Sequence, residues 1–395
     1  MAGTLDGTAV LHSANTQARS LRSVATLRLA LGLTALLGAI VFLEGTSWDI
    51  QWHSYIGRDR TLIPPHIMML SGVALSGLSA LLIVLIESLW ARRNAVIARF
   101  GTSFAEIFSA PLGAYVVGFA ALTAAVAFPL DAYWHALYGI DVAIWAPFHV
   151  MFAASMGIVA LGTAYVLMSS AHLAASLGPV GNGTRRAATW GGVLSFATLL
   201  SIFTLLLFDA LKRQNFIDLG FMTLNVFPLL SGLLVAFTLV AAAYAIPWRW
   251  AATSVAACYL LLAGIMAVFV QPATDWLLTA ERLVYREAPP STSIVALEWF
   301  LMPLVVAILI DVILRRARRR QWSQRKLALF LVFTTLLAGA LPVIPILPIY
   351  PLVLILRLGV IGYLASVLLG LVGTSIGTLF GRNVGASLAS LDKEE

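Results

Sequence analysis

Long apolar runs of about 20 residues recur from one end of this chain to the other, separated by short polar segments. A run of that length spans the hydrocarbon core of a bilayer as a helix. The pattern predicts ten such spans, at about 24–45, 65–90, 106–130, 144–170, 188–209, 219–245, 251–270, 293–314, 327–346 and 359–381. The least regular stretch is Leu341–Leu356, where Pro342, Pro345, Pro348 and Pro351 break the helical pattern. A loop, a re-entrant segment and a kinked helix all fit there. The expected fold class is an all-α polytopic integral membrane protein. Its expected organisation is a polar cytoplasmic tail over 1–23, a unit over 24–180 and C-terminal transmembrane helices over 181–395.

Composition agrees with that reading. Of 395 residues, 60% are apolar and 11% charged, against roughly 25% charged in soluble domains. Residues 1–23 lack the short apolar core and small-residue cleavage site of a signal peptide, so the first run is expected to be a retained helix. The single cysteine, Cys258, lies within an apolar run, which excludes an internal disulfide and a thiolate metal cluster.

The net charge of +7 does not point to nucleic acid, because the basic residues are distributed as topology signals. With the N-terminus placed in the cytoplasm, seventeen of the 25 Lys and Arg residues fall on inside segments and six on outside loops. The other two, Arg28 and Arg357, lie within or beside spans. Excess Lys and Arg marks the cytoplasmic side. Both termini are therefore expected to be cytoplasmic in a cell (inner) membrane, and the cluster Arg315–Arg320 is expected to sit near anionic lipid.

The N-terminal half contains an internal repeat. The first copy reads Asp49, Trp52-His53, Gly57, Asp59, then Pro64 and His66; the second reads Asp131, Trp134-His135, Gly139, Asp141, then Pro147 and His149. The shared pattern is D-x-x-W-H-x-x-x-G-x-D, then P-x-H. Each copy lies between two spans, on a connection assigned to the outer face, so the prediction is a duplicated helical hairpin.

The spacing carries chemistry. Asp49 and His53, like Asp131 and His135, are four apart and share a helix face. The second His of each copy follows a Pro suited to a helix start. One helix end then offers a carboxylate and an imidazole while the next helix offers a second imidazole. Three such ligands suit copper, zinc or iron and leave coordination positions open. The expected metal ligands are Asp49, His53, His66, Asp131, His135 and His149, with Asp59, Asp141 and Glu44 as supporting residues around them.

Blander readings exist for each feature. The Trp and Tyr residues could form an interfacial belt, and Asp59 and Asp141 could be turn residues. Four His could also ligate two haems, although an Asp four residues before each first His suits a metal triad better. Against a purely structural network stands the count: of six His in the chain, four occupy matching places in the two copies. Ionisable residues at membrane-embedded helix ends are costly to keep without a function. Met68, Met69 and Met151 follow the second His residues; packing is the commoner role for Met, and a soft Cu(I) ligand the rarer one. His12 and His172 stand outside the pattern.

At these residues the sequence resembles the C subunit of copper membrane monooxygenases, the particulate methane and ammonia monooxygenases. The match runs over about residues 24–170. It rests on Asp49, Trp52-His53, Arg58-Asp59 and His66 at the offsets of one site, and on His135 and His149 at the different offsets of a second. Asp131 stands where the family has Asn. The later six spans exceed what that subunit contains, and no segment resembles the cupredoxin domains of its partner subunit. The resemblance implies copper at these six positions and an oxygen-activating activity on a small apolar substrate.

The expected function is thus an integral membrane copper-binding protein with two Asp/His/His sites, monooxygenase-like. The alternatives are a metal-handling protein (acquisition, transport or sensing) and a non-catalytic assembly subunit. The expected partners are the lipid bilayer and either other membrane subunits or further copies of this chain, with no nucleic acid.

Overall fold

The computed structural model describes residues 5–57, 60–139, 145–212, 216–297, 302–336 and 349–391. It is a helical bundle. Its helices are α1 (Leu5–Tyr55), α2 (Pro64–Ala91), α3 (Ala95–Ala98), α4 (Leu112–Tyr138), α5 (Pro147–Ser176), α6 (Asn182–Lys212), α7 (Phe227–Ala245), α8 (Ala251–Glu281), α9 (Ile294–Leu297), α10 (Met302–Arg319), α11 (Gln324–Thr335) and α12 (Ile349–Ser390). Among the described residues, eight helices are long and apolar enough to cross a membrane: α1, α2, α4, α5, α6, α7, α8 and α12. The other two expected spans, 293–314 and 327–346, run into residues outside the described set. So does most of the proline-rich stretch. The chain is therefore an all-α membrane protein. Its outer surface carries apolar side chains such as Leu78, Leu81, Leu122, Leu261, Val268 and Leu368, each half or more exposed, as expected where the surrounding medium is lipid.

Two expected spans start later than the apolar pattern suggested. Residues 102–110 form a β-hairpin, with β1 (Thr102–Phe104) antiparallel to β2 (Phe108–Ala110). Its turn residues Ala105 and Glu106 have positive φ, as a tight hairpin requires, and Pro111 then precedes α4. A second hairpin, β3 (Phe216–Asp218) with β4 (Thr223–Asn225), precedes α7. Short strands of apolar residues cannot be told from a helix end by hydrophobicity alone. Elsewhere the helices outrun the apolar blocks: α1 and α8 continue to Tyr55 and Glu281, carrying polar residues past the expected ends.

The bundle has two distinct ends. At one, Ser20 meets Asn94, Trp190 packs on Trp248, His172 Nδ1 bonds the Leu391 carbonyl, and Arg315 stacks over Trp250. Asp311 does not pair with the neighbouring Arg cluster through its carboxylate. It accepts from the backbone N–H groups of Ala252 and Thr253 and from the Thr253 hydroxyl, capping the start of α8. At the other end, the Arg286 N–H donates to the Tyr55 carbonyl, and Arg60 pairs with Glu281. That second end holds both Asp/His/His sets.

Near the first end lies a buried ion pair. Arg28 and Glu87, 0% and 1% exposed, meet through two hydrogen bonds of 2.8 and 2.7 Å. The guanidinium also donates to the Phe100 carbonyl at 2.8 Å and to the Ser169 hydroxyl. Further on, α7 and α12 touch backbone to backbone. A Cβ added at Gly373, Gly377, Gly381 or Gly385 would lie 2.1–2.5 Å from an α7 carbonyl oxygen. This small-residue stripe is the packing device of membrane helices. α12 is broken at Gly359, whose φ is 70°.

Candidate metal centre

Each Asp/His/His set is assembled by one helix end and the next helix start. Asp49 and His53 lie on the last turns of α1, and Pro64 opens α2 so that His66 falls on its first turn. Asp131 and His135 lie on the last turns of α4, and Pro147 opens α5 just before His149. The glycine shared by the two copies has a backbone reason: Gly57 and Gly139 both have positive φ, 65° and 88°, a conformation that L side chains avoid.

The imidazoles converge on the carboxylates. His66 Nε2 is 3.0 Å and His53 Nε2 3.4 Å from Asp49 Oδ1. In the second set, His135 Nε2 and His149 Nε2 each stand 3.3 Å from an oxygen of Asp131. Within each set, one ligand atom from every residue lies within 4.8 Å of the others, so both sets could hold a metal ion.

The donor chemistry fits a cation. His66 Nδ1 lies 3.2 Å from the Thr61 carbonyl, and His135 Nδ1 lies 3.2 Å from the Gly139 carbonyl. A carbonyl only accepts, so the hydrogen belongs to Nδ1, and in the neutral imidazole Nε2 keeps its lone pair toward the carboxylate. Such backbone partners orient metal-binding His in the same way. Two electron-rich atoms 3.0 Å apart repel unless a proton or a cation lies between them. Asp49 Oδ1 and Asp131 Oδ1 are also buried without an aligned hydrogen bond, despite the nearby imidazoles.

The two sets face one another. All six residues line a single cavity of about 80 Å³, walled by Phe42, Phe128, Phe152, Met69 and Leu205. Phe128, one turn before Asp131 on α4, sets its ring edge-on to His66 of the other set, with centroids 5.7 Å apart. Phe42 and Phe152 meet edge-to-face at 4.9 Å behind it.

Several expectations meet the structure differently. Glu44 is not beside the ligands. Asp49, His53, Phe42 and Thr46 share the cavity face of α1, whereas Glu44 lies on the opposite face with Ser47, Trp48 and Gln51. There Ser47 bonds Ser293, Trp48 packs on Phe269 and Gln51 bonds Gln271. The reason is the helical period: five residues from Glu44 to Asp49 turn through about 140°. Asp59 and Asp141 lie outside the described residues. Trp52 is fully buried in the core, which removes it from an interfacial belt. Of the three Met residues, Met69 lines the cavity, while Met68 and Met151 pack against the core.

The cavity walls were not legible as site residues. Phe42, Phe128 and Phe152 are ordinary members of apolar runs, and Leu205 comes from α6, beyond the repeat. Asp275 belongs to a separate cluster with Gln271 and Tyr285. Burial, reinforced by the hydrogen bond to Asp275, pushes the Tyr285 hydroxyl up to about 12, so it stays a neutral donor.

No protein-family model, curated protein or solved structure matches this chain.

Proposed function

We propose that this chain is a copper-binding membrane protein whose two hairpins are copies of one unit, and that it serves as a monooxygenase-like, oxygen-activating subunit acting on a small apolar substrate. The observation that carries the reading is the shared cavity: two three-ligand sets with open positions face one space with aromatic and aliphatic walls. The resemblance of the ligand spacing to the copper membrane monooxygenase C subunit supports copper over zinc or iron. Copper, when bound, would supply dioxygen reduction chemistry. The chain itself supplies the ligands Asp49, His53, His66, Asp131, His135 and His149, carbonyls that fix two of the imidazoles, and phenyl rings that limit water and leave room for an apolar molecule. Electrons would come from another membrane subunit or an external donor.

The ligand end is proposed to face outward, because the Arg-rich segments lie at the other end of the bundle. Reporter fusions after Gly57 and after Gly139 are expected to report the outside; a cytoplasmic signal from either reverses the orientation.

The test of activity is reduction of the copper-loaded protein in lipid, followed by oxygen. Faster reoxidation with an added hydrocarbon or ammonia, together with an oxygenated product, is the expected result. A second reading, metal acquisition, draws on the partial exposure of all six ligand side chains, 11–28%. Stable Cu(I) without oxygen uptake, with cellular copper accumulation that depends on His53 and His135, would replace the enzyme reading with that one.

A further inference from the structure

A second, larger cavity of about 610 Å³ opens on the lipid-facing side between α2 and α4. Its lining is apolar apart from Tyr115, whose hydroxyl is already spent on the Thr102 carbonyl. Its floor is made of small residues. A Cβ at Gly77 would lie 3.2 Å from that of Ala121, and one at Gly118 would lie 3.8 Å from that of Ala80. The helices therefore approach closely beneath a trough whose rims are Leu and Phe side chains.

The trough is collinear with the metal cavity. On α4, Gly118, Ala121 and Ala125 of the trough lead at helical spacing to Phe128, then Asp131 and His135 of the cavity. On α2, Leu81, Gly77 and Val73 lead in the same way to Met69 and His66. Met69 and Phe128, which line the metal cavity, lie about one turn beyond Val73 and Ala125, which line the trough. Phe128 is followed by Pro129, inside α4. A Pro there removes a backbone hydrogen bond and loosens the helix locally, so Phe128 sits beside a turn of α4 that lacks one backbone hydrogen bond.

We propose that the α2/α4 trough is the entrance by which a small, uncharged apolar molecule dissolved in the bilayer reaches the space between the two Asp/His/His sets, and that Phe128 with Met69 forms its gate. The two long walls belong to membrane-spanning helices, with Phe104 and Phe108 of the β1–β2 hairpin at the end away from the metal cavity; the mouth between the helices therefore faces hydrocarbon, and charged or strongly polar molecules are excluded by desolvation. This rests on the proposed function for the use of the cavity, but not for the path into it.

The test uses the full-length protein in nanodiscs with an alkyl diazirine dissolved in the bilayer, photolysed and mapped by peptide mass spectrometry. The parent protein should be labelled along the trough and also on the buried segments holding Phe152 and Leu205. Ala125→Trp, on the exposed rim at the end of the trough nearest the metal cavity, should cut the labelling of those buried segments severalfold and leave labelling of α12 unchanged. Phe128→Ala should raise it severalfold. If Ala125→Trp fails to fold, Ala74→Trp on the facing helix blocks the same point. Cavity labelling that is indifferent to both kinds of change overturns the entrance. Labelling of the trough without any in the cavity overturns it too, and makes the trough a seat for a lipid acyl chain. Metal content is measured in parallel: absent copper with intact, gate-dependent labelling would defeat the proposed function and leave the entrance standing.

Discussion

His53→Ala is expected to lower the metal content of the purified, metal-loaded protein from two ions per chain to one. The ligands of each set are local: Asp49, His53 and His66 come from α1 and α2, and Asp131, His135 and His149 from α4 and α5. No residue is shared. Losing one of three protein ligands should weaken the first site by more than the roughly 10–100-fold that follows loss of an outer-shell partner alone. The second site should hold at least as well as before, because two cations facing one cavity repel each other and removing one relieves the other. His135→Ala should give the mirror result. Elemental analysis counts the ions, and X-ray absorption on each variant should show the remaining metal with nitrogen or oxygen ligands at roughly 2.0–2.2 Å. Loss of both ions from a well-folded His53→Ala protein would mean that the six residues form one indivisible site.

Glu87→Ala should be the most destabilising single change away from the ligands. It leaves the Arg28 guanidinium buried without its carboxylate counter-charge, beside neutral acceptors that include the Phe100 carbonyl and the Ser169 hydroxyl. Breaking a buried pair by removing one partner costs about 3–5 kcal/mol, whereas replacing both partners with apolar residues of similar volume is often neutral. Arg28→Met combined with Glu87→Leu should therefore recover most of the loss. Thermal unfolding in detergent, with size-exclusion behaviour as a second readout, distinguishes the three proteins. A Glu87→Ala protein as stable as the parent would show that the guanidinium finds water or lipid phosphate instead. Because this pair sits at the end of the bundle away from the ligands, the folded fraction should keep its full metal content.

Much of the ligand chemistry is legible in the sequence, because it is local. The Asp–His spacing of four is a property of one helix turn, and Pro64 and Pro147 mark the starts of α2 and α5 that bring in His66 and His149. The glycines at 57 and 139 mark the positive-φ turns that end the preceding helices. Span boundaries were less legible. Two hairpins look like the beginnings of apolar runs, since hydrophobicity reports burial in lipid or protein without reporting backbone conformation.

Glu44 shows the limit from the other side: proximity in sequence to Asp49 suggested a supporting role, and the helical period turned it to the opposite face. Sequence alone thus determined the membrane character, the helical class and the membership of the two Asp/His/His sets, all of which follow from composition, from the Asp–His spacing of one helix turn and from a repeated short connection to the next helix. The tertiary structure decided that both sets open on one cavity, that Phe128 and, from α6, Leu205 help to wall it, that an apolar trough lies between α2 and α4, and that Arg28 finds Glu87. Those pairings join residues far apart in the chain, and only the packing of one helix on another, set by side-chain shape along whole helix faces, brings them together.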